Sequence, residues 1–418
     1  MSTPAGLSSE PAYNGALKVA PFNLRKLMQQ LAMEVPDTAD KKVLTKVAVD
    51  TQFSGTASSI SLSKLTLGLD ETTATGSLAV ADIEKQALRF DLNVDSINAD
   101  RYLPPAAEGK AATPETAAAG AARLPVETLR ALDIKGDLKV GQLILSKAKL
   151  SNVRLSINAD KGVIALKPVS ANLYKGSYQG AVNLNATGKQ PVVNLDTRLA
   201  DVDIEPLLQD MTGKEAKLTG TGNITAKLKA TGADTDAMKK TLNGNADLLF
   251  RDGAYKGINL GAILRKADAM LEGRSLKEVS GEEQTDFSEM TATLQIKDGV
   301  VKNNDLSAKS PAIRVSGAGE ANLVSEKLDY TVNASVAKTA KGQGGEGLDS
   351  VGGYTVPVRC KGTFADPGCK PDFEGLVKAR VDREIDKQTD KAKEKAKDKL
   401  KDKIGDELGD KFKDALGF

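Results

Sequence analysis

The sequence predicts a mainly β protein with short helices: antiparallel sheet with one apolar face, built of repeated modules and followed by a long charged C-terminal helix. Three observations carry that expectation. Apolar and polar residues alternate with a period of two along most of the chain, as in strands with one wet face. Glycine numbers 38 while aromatics are 4% and tryptophan is absent, which suits many short strands and tight turns better than thick cores. A strand ending in Asn or Asp, followed by a short apolar helical turn, recurs four times.

The chain opens on a polar stretch that runs into a strand and a helix within "NGALKVAPFNLRKLM" (14–28). Leu65, Leu67 and Leu69 mark one strand; Leu88, Phe90, Leu92 and Val94 mark another, with Arg89, Asp91 and Asn93 on its opposite face. The alternation returns at Val153, Leu155 and Ile157, at Val193, Leu195 and Leu199, and at Ile224, Ala226 and Leu228. Near the end come Ile313 and Val315, then Leu328, Tyr330, Val332, Ala334 and Val336. "LKPVSANLYKGSYQGAVNLN" (166–185) predicts a hairpin turning at Lys175-Gly176. Val169, Ala171 and Leu173 share one face of it; beyond the turn, Tyr178, Val182 and Leu184 share one too.

The four motif copies are "VAPFNLRKLM" (19–28), "VDSINADRYL" (94–103), "LADVDIEPLL" (199–208) and "YKGINLGAIL" (255–264), which align without gaps. Asn23, Asn98, Asp203 and Asn259 are placed to cap the turn that follows, accepting from its first free amides. The repetition predicts related modules. N-terminal modules are expected over 1–103, a flexible Ala/Pro-rich linker or loop over 104–124, a second β region over 125–373, and a charged helical tail over 374–418. In that tail Ala392, Ala396, Leu400, Ile404, Leu408, Phe412 and Leu416 recur every fourth residue, a thin seam on a solvated helix laced with ion pairs.

Several classes of chemistry find no support. Histidine is absent, which removes the commonest general base and metal ligand, and no enzymatic activity or cofactor is expected. Lys+Arg of 58 against Asp+Glu of 56 gives no basic field for nucleic acid. "GQGGEG" (342–347) fits a dinucleotide fingerprint in letters only, since a strand rather than a helix follows. "GADTDAMKKTLNG" (232–244) lacks the glycine and glutamate of a calcium loop; a helix capped by Asp234 and ended at Asn243-Gly244 explains it. No apolar run nears the ~18 residues that span a bilayer. The polar start is therefore expected to follow a targeting or anchoring segment outside this sequence.

Cys360 and Cys369 in "PVRCKGTFADPGCKPDFEG" (357–375) are the only cysteines. A two-residue turn at Asp366-Pro367 would pair Cys369 with Phe364 and Cys360 with Phe373, too far apart to bridge. A looser loop would bring the thiols together. In an oxidising compartment the disulfide is favoured; two reduced, buried thiols are the alternative.

From Leu124 to about Lys378 the chain resembles the C-terminal half of bacterial AsmA family proteins. The carrying segments are "SANLYKGSYQG" (170–180), "VDIEPLLQDM" (202–211) and "KKTLNGNADLLFRDGAYKGINLGAILRKA" (239–267). "TDFSEMTATLQIKDGVVKNNDL" (285–306), "KLDYTVNASV" (327–336) and "TVPVRCKGTFADP" (355–367) continue it; residues 17–103 resemble the preceding part more loosely. The resemblance implies a periplasmic protein tethered to the inner membrane of a Gram-negative bacterium by an N-terminal helix. It also implies that the sheet is elongated and curved into an apolar groove, a repeating β-groove that moves phospholipid between inner and outer membranes and supports outer-membrane assembly. The missing anchor, the charged tail and the two cysteines depart from that pattern.

The residues agree with such a groove. A sheet with one apolar face must cover it, and with few large side chains available, acyl chains can supply the missing layer. The expected lining is Leu88, Phe90, Leu92, Val94, Val169, Ala171, Leu173, Val182, Leu184, Leu328, Tyr330 and Val332, with ordinary packing under the short helices as the alternative for each. Expected partners are phospholipid acyl chains, the membranes, and a periplasmic or outer-membrane protein. The competing reading is a scaffold that assists outer-membrane protein assembly by strand addition at an open sheet edge.

Overall fold

A computed structural model of the chain describes residues 12–105, 124–272, 283–337, 351–364 and 366–378, with shorter stretches up to 395. Eighteen strands form one sheet in chain order. The first five are β1 (Tyr13–Phe22), β2 (Val47–Gly55), β3 (Ile60–Leu69), β4 (Thr72–Asp82) and β5 (Ala87–Asn98). Then come β6 (Asp133–Leu145), β7 (Ala148–Asp160), β8 (Val163–Leu173), β9 (Gly176–Asn185) and β10 (Val192–Asp203). The series continues with β11 (Thr221–Thr231), β12 (Asn243–Lys256), β13 (Gln284–Lys297) and β14 (Val300–Lys309). It closes with β15 (Ile313–Asn322), β16 (Lys327–Val336), β17 (Thr355–Thr363) and the three-residue β18 (Cys369–Pro371).

Every neighbouring pair is antiparallel except β5 and β6, which run parallel, Leu92 beside Leu138 and Val94 beside Val140. At the usual inter-strand spacing the sheet measures roughly 80 Å along its curve. Bulges recur where registers shift, as between Leu62 and Leu65, Ser151 and Arg154, Leu166 and Val169, and Asn303 and Leu306. Each adds local twist and bends its strand, and from β12 to β18 the sheet curls round its apolar side, whose residues enclose a cavity. The other side is wet and carries cross-strand ion pairs such as Lys309–Glu289 and Lys361–Asp329. The expected mainly-β, curved sheet is what the chain forms.

Short helices lie at the strand ends: α1 (Leu24–Gln30), α2 (Val126–Ala131), α3 (Ile204–Thr212), α4 (Thr235–Lys240) and α5 (Leu260–Glu272), with a single 3-10 turn at Ala99–Arg101. The four motif copies follow β1, β5, β10 and β12. Because of the one parallel step, all four strands point the same way, so their helical turns share one long rim, here the upper rim. Asn23 accepts from the Lys26 amide at 3.0 Å, Asn98 from Asp100 at 3.2 Å and Asn259 from Ala262 at 2.7 Å. The fourth expectation is corrected: Asp203 makes no capping bond, because its carboxylate is drawn to Lys175 at 2.9 Å.

Two turns also differ from expectation. The hairpin of 166–185 turns on Tyr174-Lys175, both left-handed (φ 42° and 68°), one residue earlier than Lys175-Gly176. Asp234 caps α4 as expected, accepting from Ala237 at 2.8 Å, but the helix ends at Lys240 and Asn243-Gly244 already opens β12. In the tail, residues 388–395 are helical and Ala392 is exposed; the rest of its apolar seam, most of the linker and the "GQGGEG" segment lie outside the described residues.

Candidate functional site

The apolar faces of the strands join into continuous rows running across the sheet. One passes from Val49 through Leu67, Ala74 and Val94 to Val140 and Val153, each beside the next on the neighbouring strand. Beyond the bulge it resumes as Ala171, Tyr178, Leu199, Ile224 and Leu248. A second row links Phe250, Met290, Ala308, Val315, Ala334 and Val356. These rows run perpendicular to the strands.

Among the described residues, helices cover this face only near the upper rim. Ile204 and Leu207 of α3 belong to one buried cluster with Leu173, Val202 and Phe250; Leu260, Leu264 and Ala267 of α5 join the same cluster with Ile313, Val315 and Ala334. Asp268 of α5 is buried, and its carboxylate accepts from the Val351 amide at 3.0 Å, fixing the helix against the segment that leads into β17. Below α5, a cavity of about 410 Å³ opens between β12 and β18. It reaches from Ile258 and Leu260 to Leu328, Cys360 and Cys369, between walls of Phe250, Phe287, Met290 and Val332. That volume lies in the range of small-molecule and cofactor pockets, and the lining is almost wholly apolar.

The rings on this face lie against glycines of neighbouring positions instead of standing into the open space. A Cβ added at Gly136 would fall 2.6 Å from the Phe90 ring, one at Gly253 2.8 Å from Phe287, and one at Gly317 2.9 Å from Tyr330. Tyr330 is held at its far end too, its hydroxyl donating to Asn303, which is buried and anchored by its own bond to the Thr293 carbonyl at 3.0 Å. Burial, then the Asp305 charge, pushes the Tyr330 hydroxyl up to about 12, so it stays a neutral donor.

The twelve residues expected to line the groove fall into three groups. Leu328, Tyr330 and Val332 border the cavity. Leu173 is packed into the cluster that holds α3, and Ala171 is buried with Val140 and Val153, with Val94 against them. Leu88, Phe90, Leu92, Val169, Val182 and Leu184 are half-buried along the strands, with Val182 beside Leu195 and Leu184 beside Val193. Phe250, Phe287 and Met290 were not among the expected lining, and the short turn expected after Asn259 extends into the 13-residue α5. Only the fold shows which stretch closes round a cavity.

Cys360 and Cys369 are directly opposed and joined by a disulfide. The turn sits two residues earlier than Asp366-Pro367, with the Thr363 amide donating to the Asp366 carbonyl at 2.9 Å, and that shift brings the thiols together. The bridge forms part of the cavity wall and ties down β18, whose three residues lead to the helical stretch 373–378 and its buried Leu376.

A long curled sheet with a continuous apolar concave side, helices along one rim and a dry end cavity defines a β-groove protein. The sequence comparisons give the family: the AsmA family model matches residues 6–306, and the chain belongs to that family. Protein AsmA of Escherichia coli (strain K12) is 20% identical over 379 residues, 87% of this chain and 61% of that protein. The AsmA family protein YhjG of the same organism is 23% identical over 229 residues, 53% of this chain and 30% of its own length. The chain thus spans less than two-thirds of either relative. No solved structure matches it. The family match runs from residue 6 to Leu306, short of the cavity's last strands. It is a family of the bacterial envelope, with roles in outer-membrane assembly or lipid transport. No described helix is long and apolar enough to cross a membrane.

Proposed function

We propose that this chain carries phospholipid through the periplasm between the inner and outer membranes, acyl chains lying along the apolar rows and headgroups toward solvent. One observation carries the reading: the rows of apolar side chains continue strand after strand, and among the described residues no layer covers them below the upper-rim helices. A lipid crossing water unaided exposes its chains at ~0.8 kcal/mol per methylene, so every ten methylenes raise the barrier by roughly 8 kcal/mol. A lining as apolar as the bilayer interior removes that penalty at both ends of the path. The protein then needs no catalytic group, only continuity.

Native mass spectrometry of the chain tests this, with phospholipid masses expected at one or more per molecule. Val182→Asp supplies the matching perturbation: Val182 is half-buried on the open part of a row, whereas Leu173 is committed to packing. An aspartate there is expected to cut bound lipid at least about tenfold and to block transfer, since an unpaired carboxylate on an apolar lining loses its hydration. Wild-type protein isolated without lipid would favour the scaffold reading, for which β1 offers an edge that pairs only with β2 among the described residues.

A further inference from the structure

The upper rim is roofed unevenly. α1 follows β1, the Ala99–Arg101 turn follows β5, α3 follows β10 and α5 follows β12, but β6 to β9 are joined at that rim only by the tight turns at Ser146-Lys147 and Tyr174-Lys175. In this gap lies an open cleft of about 990 Å³. Its inner wall includes Ile97, Leu143 and Leu150, which also pack against the buried Val140, Val153 and Ala171 of the apolar row. Its lip carries Arg101, Lys149 and Lys175. The cleft is therefore continuous with the trough on one side and charged on the other.

The charges come as pairs. Lys149 meets Asp210 of α3 at 3.0 Å, Lys175 meets Asp203 at 2.9 Å, and Arg101 meets Asp40 at 2.9 Å and Glu71 at 2.7 Å. The two lysines are 67% and 83% exposed while their carboxylates are 28% and 29% exposed, so the acids are fixed and the lysines can swing. Exposed pairs of this kind contribute little, and their partners exchange readily. A purely anionic group arriving here would take Lys175 and leave Asp203 without its ion pair, while Asp210 would keep only the Tyr174 hydroxyl at 2.7 Å. A group that brings a phosphate and an ammonium together satisfies both Lys175 and Asp203.

We propose that this gap is a side port, through which a zwitterionic glycerophospholipid moves between the trough and a membrane surface. Its phosphate sits on Lys149 and Lys175, its ammonium on the Asp203 carboxylate that Lys175 releases, and its chains lie on Leu143 and Leu150. The proposal rests on the lipid-carrying reading above and adds to it a place of passage and a headgroup class.

The test compares the full chain with its Lys149→Gln/Lys175→Gln variant in vesicle-to-vesicle transfer of labelled phosphatidylethanolamine and of labelled phosphatidylglycerol. Both lysines are exposed, so the variant is expected to melt with the wild type; Lys227→Gln/Lys302→Gln, on the wet face, serves as control. The expected result is wild-type preference for the ethanolamine lipid and an about tenfold loss of its transfer in the variant, the size of a lost charged hydrogen bond. Lipid bound per molecule stays unchanged by native mass spectrometry. Unchanged transfer in the variant, or a wild-type preference for the glycerol lipid, overturns the port while leaving the trough intact. Absence of bound lipid from the wild type overturns the trough, and the port with it.

Discussion

Gly317 offers a direct test of how the lining is built. It lies on β15 between Leu306 of β14 and Val332 of β16, and its backbone is outside the left-handed region, so any residue could adopt it without strain. In an ordinary strand, valine in place of glycine stabilises, because β-branched side chains suit a pleated surface. Here the new Cβ would meet Leu306 Cδ2 at 2.8 Å and Tyr330 Cε1 at 2.9 Å. The ring cannot tilt away freely, since its hydroxyl is bonded to the buried Asn303. Overpacking of this kind costs about 1–3 kcal/mol, and breaking the Tyr330–Asn303 bond adds about 1 kcal/mol. Gly317→Val is therefore expected to destabilise by about 2–4 kcal/mol in urea unfolding, the reverse of its strand propensity. In a Tyr330→Ala background the same change should lose at least about 1 kcal/mol less, a coupling typical of residues in contact. Strictly additive losses, or a Gly317→Val protein as stable as the parent, would refute the claim that rings are laid on glycines to keep the trough clear.

Further outcomes follow from the same geometry. Tyr330 and Tyr102 are both pushed up to about 12, by burial first and then by Asp305 and by the Asp70 bond respectively. A group that holds its proton more tightly when folded gives stability that is complete below its unfolded value near 10 and is lost as pH rises toward 12. Melting temperature should accordingly fall between pH 10 and 12, and less steeply in Tyr330→Phe; an equal slope in both proteins would count against the burial of that hydroxyl. Removing the disulfide with Cys360→Ser/Cys369→Ser should cost about 2.5 kcal/mol on the chain-entropy account. Hydrogen exchange should then quicken over β18 and residues 373–376, and unchanged protection there would show that the bridge is not what holds the last strand.

Much of the fold was legible because strand parity needs no tertiary information. Leu88, Phe90, Leu92 and Val94 alternate with polar residues whether or not their neighbours are known, and the Asn caps announce themselves locally. What parity leaves open is pairing. Nothing local to residues 99–132 says that β6 returns parallel to β5, nor that Gly136 therefore lies under Phe90. Asp203 matched the capping pattern, yet a lysine two strands back in the sequence outcompeted the helix amides for it. The cavity was illegible for a similar reason: Phe250 and Leu328 are on separate alternating runs, and only the curl of the sheet makes them opposite walls. Alternation likewise could not separate Leu173, committed to packing, from Val182, left open.

The single parallel step between β5 and β6 also bears on how such a protein can change length. In an antiparallel meander, adding or deleting one strand would send every later helical turn to the opposite edge, scattering the roof. A parallel handover resets direction, so a block with an odd number of strands can be joined without moving α3 and α5 from the rim that α1 occupies. Deletion of a whole hairpin preserves direction as well. The span of the trough is thereby free to vary by modules, while the chemistry of its two edges stays in place.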